Sequence, residues 1–188
     1  MNLRRDVSNA LVALGYRRHE RMHHLRLSES FSFWVDTGPI TGGPDIAPFV
    51  GLRSVEVEDL VSKLMNLSSD EWVGTLGANV GYVLGGDYRS WQSPGDAPEV
   101  IAGINQALER LRPHAHLTSL GRAWDIVGRE DPSYWYRALA VACLTEQAPD
   151  EINRLTDTAR SDLCATDDEV CEQFREFESR FVRYRSRV

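Results

Sequence analysis

Residues 23–35 read His23-His24-Leu25-Arg26-Leu27-Ser28-Glu29-Ser30-Phe31-Ser32-Phe33-Trp34-Val35. Polarity alternates on both sides of Ser28-Glu29-Ser30, so Leu25 and Leu27 share one face, and Phe31, Phe33 and Val35 share another. Period two in aromatic and β-branched residues, interrupted by a short polar turn, predicts a β-hairpin. Upstream, Leu3, Val7, Ala10, Leu11 and Leu14 recur at helical spacing, and Gly15-Tyr16 predicts a left-handed cap with an apolar residue folding back. Downstream, Gly38, Pro39, Gly42, Gly43 and Pro44 mark a loop. Ile46 to Val55 then reads as a third strand, with Pro48 near its start, and Val57, Leu60, Val61, Leu64 and Met65 form the stripe of a short helix.

Between Trp72 and Leu84 the period returns to two, with Trp72, Leu76, Ala78, Val80, Tyr82 and Leu84 on one face. The other face carries Thr75, Gly77, Asn79 and Gly81, which suits either a bulged strand or the close approach of another backbone. Beyond Asp96 the pattern is helical. Asp96 is placed to cap a helix burying Val100, Ile101, Ile104, Leu108 and Leu111, and Leu117, Leu120, Trp124 and Val127 predict a further helical turn. Asp131-Pro132 starts a segment with Trp135, Leu139, Ala142 and Cys143 in register. Pro149 starts another with Ile152, Leu155, Ala159 and Leu163. Thr166-Asp167-Asp168-Glu169 reads as a capping box before Val170, Phe174, Phe177 and Phe181.

The fold class that follows is α+β: a small antiparallel sheet of about four strands with an N-terminal helix, packed against a mostly helical C-terminal half. The boundary falls near residue 128, giving an α+β portion over 1–128 and a helical portion over 129–188, expected to behave as one cooperative domain.

Of 21 basic side chains 20 are Arg, a bias that either a GC-rich coding sequence or a demand for fixed, forked contacts explains. The net charge of −7 argues against general nucleic-acid binding, since phosphate neutralisation supplies most of such affinity. The charge is unevenly spread. Residues 1–27 hold Arg4, Arg5, Arg17, Arg18, Arg21 and Arg26 against Asp6 and Glu20, whereas residues 146–178 hold eleven carboxylates against three arginines. No apolar run reaches the roughly 18 residues a membrane span needs, and Arg4, Arg5 and Asp6 interrupt any signal-like stretch, so a cytoplasmic setting is expected. Cys143, Cys164 and Cys171 show no C-x-x-C spacing and read as reduced thiols rather than a disulfide framework.

Motifs for chemistry are sparse. There is no G-x-S-x-G elbow, and the glycines match neither a phosphate-binding P-loop nor a dinucleotide fingerprint, so no cofactor is implied. The histidines fall in two groups, His19, His23 and His24, then His114 and His116, and two ligands at strand spacing do not make a zinc site. No metal site is expected. Tyr88-Arg89-Ser90-Trp91 lies in an irregular segment and combines residue types that dominate protein–protein hot spots, although its rings can equally fold down over the sheet edge.

The closing Leu14-Gly15-Tyr16, the His/Arg-rich strand leading to Phe31-x-Phe33-Trp34-Val35, and Gly51-Leu52-Arg53 before a second helix form a recognisable layout. In it the chain resembles small bacterial cytosolic α+β domains, some of which are similar to immunity proteins that neutralise a partner toxin. The likeness covers about the first two-thirds of the chain and implies a binding role.

The leading expectation is therefore a non-enzymatic protein-binding protein of the immunity or accessory kind. Its contacts would run through Tyr88, Arg89 and Trp91, or through an acidic helix face bearing Glu169, Glu172, Glu176 and Glu178 that docks on a basic toxin or nuclease. The second is a hydrolase or nucleic-acid-processing enzyme using His23, His24 and Asp36. The third is a nucleic-acid contact through Arg4, Arg5, Arg17, Arg18 and Arg21.

Overall fold

The computed structural model describes residues 2–38, 45–67, 73–129, 131–165 and 167–187. Its contacts divide the chain into two units: residues 1–54 with 74–128, and residues 55–73 with 129–188.

The first unit is built on the hairpin. Helix α1 (Leu3–Ala13) is capped by the Asn2 side chain, which accepts from the Arg5 amide, and buries Leu3, Val7, Ser8 and Leu11. Gly15, at φ 91°, ends it: the Gly15 amide donates to Val12 O at 3.0 Å and the Tyr16 amide to Leu11 O at 3.1 Å. This is the predicted left-handed cap, and Tyr16 folds back to meet Phe33 edge-on. Leu14, expected in the stripe, is half exposed.

Five antiparallel strands follow in the order β1 (Arg17–His19), β2 (Met22–Arg26), β3 (Phe31–Asp36), β4 (Phe49–Ser54) and β5 (Leu76–Asn79). The extra strand is β1, three exposed residues whose polar character blunts a sheet edge. Register places His23 opposite Val35 and Leu25 opposite Phe33, and in turn Val35 opposite Val50 and Phe33 opposite Leu52. That face is the core: Phe33, Val35, Val50 and Leu52 are fully buried, and helices α1 and α4 (Ala97–Leu111) pack over it. Helix α4 buries Val100, Ile104, Leu108 and Leu111, while Ile101 is only part-buried. Asp96 does not cap α4. Its carboxylate instead accepts from the Ser93 amide and closes a capping box around the 3₁₀ turn Pro94–Asp96.

The opposite sheet face explains the glycines. Trp34 faces Gly51, which faces Gly77, and the indole lies over them with Nε1 donating to Leu76 O at 3.1 Å and Leu52 O at 3.3 Å. A Cβ on Gly77 would sit 2.3 Å from the indole, and one on Gly51 would sit 1.9 Å from Leu76 O. The close approach anticipated on this strand is made by an indole as well as by backbone. The strand is also shorter than its periodicity predicts. It stops at Asn79, whose side chain accepts from the Gly81 amide and turns the chain into the short helix α3 (Val80–Val83). Helix α5 (Leu120–Val127) completes the unit, and Trp72 lies outside the described residues.

The second unit consists, among the described residues, of α2 (Val55–Met65), α6 (Ser133–Leu144), α7 (Pro149–Cys164) and α8 (Asp168–Arg185). The chain-order boundary near residue 128 thus omits α2, which groups with the C-terminal helices although it precedes β5. Helix α6 is the centre, with Tyr134 and Tyr136 to Ala142 all buried, and Tyr136, Phe174, Phe177 and Phe181 forming a chain of ring contacts. Within this core Arg137 donates through Nε to Glu58 Oε1 at 2.9 Å and through Nη2 to Glu58 Oε2 at 3.1 Å. Such a forked pair is costly to break from one side, about 3–5 kcal/mol, because the other charge stays buried.

Helix α8 is capped by Asp167, which accepts from the Glu169 and Val170 amides; Thr166, the expected capping residue, lies outside the described residues. Just before it comes the clearest correction. Cys164 and Cys171 form a disulfide, not two reduced thiols, because the α7–α8 turn brings their Cα atoms to 4.4 Å. Only Cys143 is a free thiol. No helix among the described residues is long and apolar enough to cross a membrane.

Candidate functional site

The segment after α3 is tightly held. The Asn79 side chain, itself fully buried, accepts from the Arg89 amide at 2.8 Å and donates to Arg89 O at 3.0 Å. The Gly86 amide donates to Gly81 O at 3.0 Å, and any Cβ on Gly81 would meet Asp87 O at 1.9 Å. Two backbone bonds between Trp91 and Ile46, each 2.9 Å, anchor the far end. On this fixed backbone Tyr82 and Tyr88 remain 51% and 40% exposed, with their rings edge-on at 6.0 Å, and Arg89 is exposed beside them.

Trp91 belongs elsewhere. It is 7% exposed and packs into the core, so of the three residues expected to meet a partner it supports the segment from beneath. Tyr82, assigned by periodicity to a sheet face, takes its place at the surface because the chain has already turned into α3.

The acidic face of α8 is less uniform than its composition implies. Glu169 and Glu172 are exposed, but Glu176 pairs with Arg180 at 3.3 Å and Glu178 pairs with Arg160. The groove of about 900 Å³ that holds Glu172 and Glu176 is also lined by Arg175, Arg180 and Arg183. Mixed charge of this kind is a poor mimic of a phosphate chain, whose charge is of one sign.

The set His23, His24 and Asp36 does not assemble. Adjacent residues on a strand point to opposite faces, so His23 enters the core side of β2 while His24 stands on the Trp34 side. Asp36 binds Arg21 at 3.2 Å instead. His23 is 1% exposed and shares a 2.8 Å hydrogen bond between its Nε2 and the Ser8 hydroxyl on α1. Burial, aided by the Arg18 charge and opposed by Asp36, pulls its pKa down and favours the neutral ring. His24 is likewise shifted down, by burial and by His19.

Around His23 the N-terminal arginines converge. A cleft of about 270 Å³ is lined by Arg4 and Arg5 from α1 and by Arg18 and Arg21 from the β1–β2 hairpin, with Ser8 and His23 also on its wall. Arg17, grouped with them by sequence, pairs with His24 and so lies on the other sheet face. His114 and His116 are not near a companion set: among the described residues no group of three or more His, Cys, Asp or Glu side chains is placed to hold a metal ion.

The chain matches no family model, no curated protein and no solved structure. Function therefore rests on these surfaces alone.

Proposed function

We propose that this protein is a non-enzymatic binding protein of the bacterial immunity or accessory kind, docking a protein partner through Tyr82, Tyr88 and Arg89. The observation that carries the reading is the fixed backbone beneath exposed rings. The Asn79 side chain and the Ile46–Trp91 bridge anchor the segment, which reduces the conformational entropy to be lost on association. Tyr and Arg in such a setting are the residue types that most often dominate binding energy. A cytoplasmic setting belongs to the same proposal, and the Cys164–Cys171 bond weighs against it, since such bonds persist mostly in oxidising compartments.

The test is affinity capture from the producing cell with the unaltered protein, the double variant Tyr82→Ala/Tyr88→Ala, and Val182→Ala on α8. The proposal expects one stoichiometric protein, lost with the tyrosine pair and retained with Val182→Ala, while the far-ultraviolet spectrum and melting curve of each variant stay unchanged. Equal capture by all three, or no stoichiometric partner, would overturn it.

A further inference from the structure

We infer that the cleft between the first turn of α1 and the β1–β2 hairpin is a binding site for a small phosphate-bearing anion. This inference shares no residue with the Tyr82–Tyr88 surface and does not rest on it.

Four guanidinium groups, Arg4, Arg5, Arg18 and Arg21, line a cavity of about 270 Å³, a volume suited to a phosphate group and a small substituent. Among the described residues no carboxylate lines it with them, although the protein as a whole carries a net charge of −7. Asp36 engages Arg21 at 3.2 Å and Arg18 Nε donates to Glu20 O at 2.8 Å, and among the described residues no carboxylate on the cleft wall pairs with Arg4, Arg5 or Arg18. Gathering like charges in one place opposes folding and favours whatever anion neutralises them.

Helix stability does not explain the placement. Arg4 and Arg5 sit in the first turn of α1, the positive end of its dipole, where cations are disfavoured. A second basic cleft, bearing Lys63, Arg183 and Arg187, is different. Its side chains cluster at the C-terminal ends of α2 and α8, where the dipole welcomes them, so that cleft has a sufficient structural account.

Two buried polar atoms point the same way. His23 is 1% exposed and lines the cleft. Its Nε2 is engaged with Ser8, while its Nδ1 is buried without a hydrogen-bond partner. Arg4 also lines the cleft, and its Nε is buried and unpartnered. Buried donors and acceptors in native proteins are nearly always satisfied, and a phosphate oxygen would satisfy the Arg4 donor by a charge-assisted bond of the forked kind Arg makes best. The Nδ1 atom accepts or donates according to the ring tautomer: a phosphate oxygen complements its N–H form, and the hydroxyl of a monoprotonated phosphate complements its lone-pair form.

A small ligand is favoured over a nucleic-acid chain. Arg17 and Arg26 would be needed to extend the contact along a backbone. Arg17 is turned to the other sheet face, and Arg26, opposite Ser32 on β3, is not among the side chains that line the cleft.

The test is calorimetric titration of the full chain with inorganic phosphate and with phenyl phosphate, at constant ionic strength, against a chloride control. Saturable one-to-one binding is expected. Arg5→Gln, an exposed position whose change leaves the core intact, and Arg4→Gln should each weaken it about tenfold, the size expected for one charge-assisted hydrogen bond. Arg183→Gln in the second unit should leave it unchanged. The His23 ring nitrogen resonances should move on saturation with phosphate and not with chloride. No saturable binding by either phosphate probe would overturn the inference, as would equal weakening by Arg183→Gln. Salt-sensitive binding of an oligonucleotide without binding of phenyl phosphate would overturn it in favour of a backbone contact.

Discussion

Trp34 shows how a single residue resists reading from sequence. Alternation puts it on the face opposite Phe33 and Val35, and glycines further along the chain signal a close approach, but Leu76, which accepts from its Nε1, is 42 residues away. Periodicity identifies faces and is silent about which residue crosses to which strand. Ser8 and His23, 15 residues apart, escape for the same reason, and a neutral histidine in the core carries no sequence mark. Core positions with regular spacing are the opposite case. Phe31, Phe33 and Val35, and later Phe174, Phe177 and Phe181, stand where the period places them. The glycine account makes a contrast that thermal or denaturant unfolding can check. Gly51→Ala should cost about 3 kcal/mol, because the obstacle at 1.9 Å is the Leu76 carbonyl and not a mobile side chain. Gly121→Ala, in α5 with nothing within 4 Å, should gain up to about 1 kcal/mol from helix propensity. Equal effects at the two sites would refute the crowding argument.

Elements were legible where a local signal ends them, as Gly15 ends α1 and Pro149 opens α7, and illegible where tertiary hydrogen bonds do so. The run from Trp72 to Leu84 keeps period two past the end of β5 because Asn79 turns the chain through bonds to Gly81 and Arg89. That turn decides which tyrosines face outward. The Cys164–Cys171 bond is an element-scale feature too, since two helical cysteines seven residues apart meet only when the turn between α7 and α8 folds back. By the chain-entropy account so short a loop contributes about 2 kcal/mol. Alkylation in denaturant without reductant should add one label per chain, on Cys143, and three after reduction. Three labels without reductant would contradict the bond.

At the scale of the molecule, the α+β class and the charge asymmetry were plain from sequence, while the grouping of helices was not. Helix α2 joins the C-terminal helices through contacts such as Glu58 with Arg137, a separation of 79 residues that no local pattern encodes. The arginines of residues 1–27 were visible as a cluster in sequence, but only the hairpin register separates Arg18 from Arg17 and makes four of them a cleft. The reactive set His23, His24 and Asp36 is divided by the same register, which puts His23 on the core face with Val35 and His24 on the opposite face with Trp34. The most direct measurement is site-specific photo-crosslinking in the producing cell, with the probe placed at position 88 or at position 182, an exposed position on α8. The account predicts one discrete protein adduct from position 88 and none of that size from position 182. An adduct from position 182 alone, or none from position 88, would contradict it.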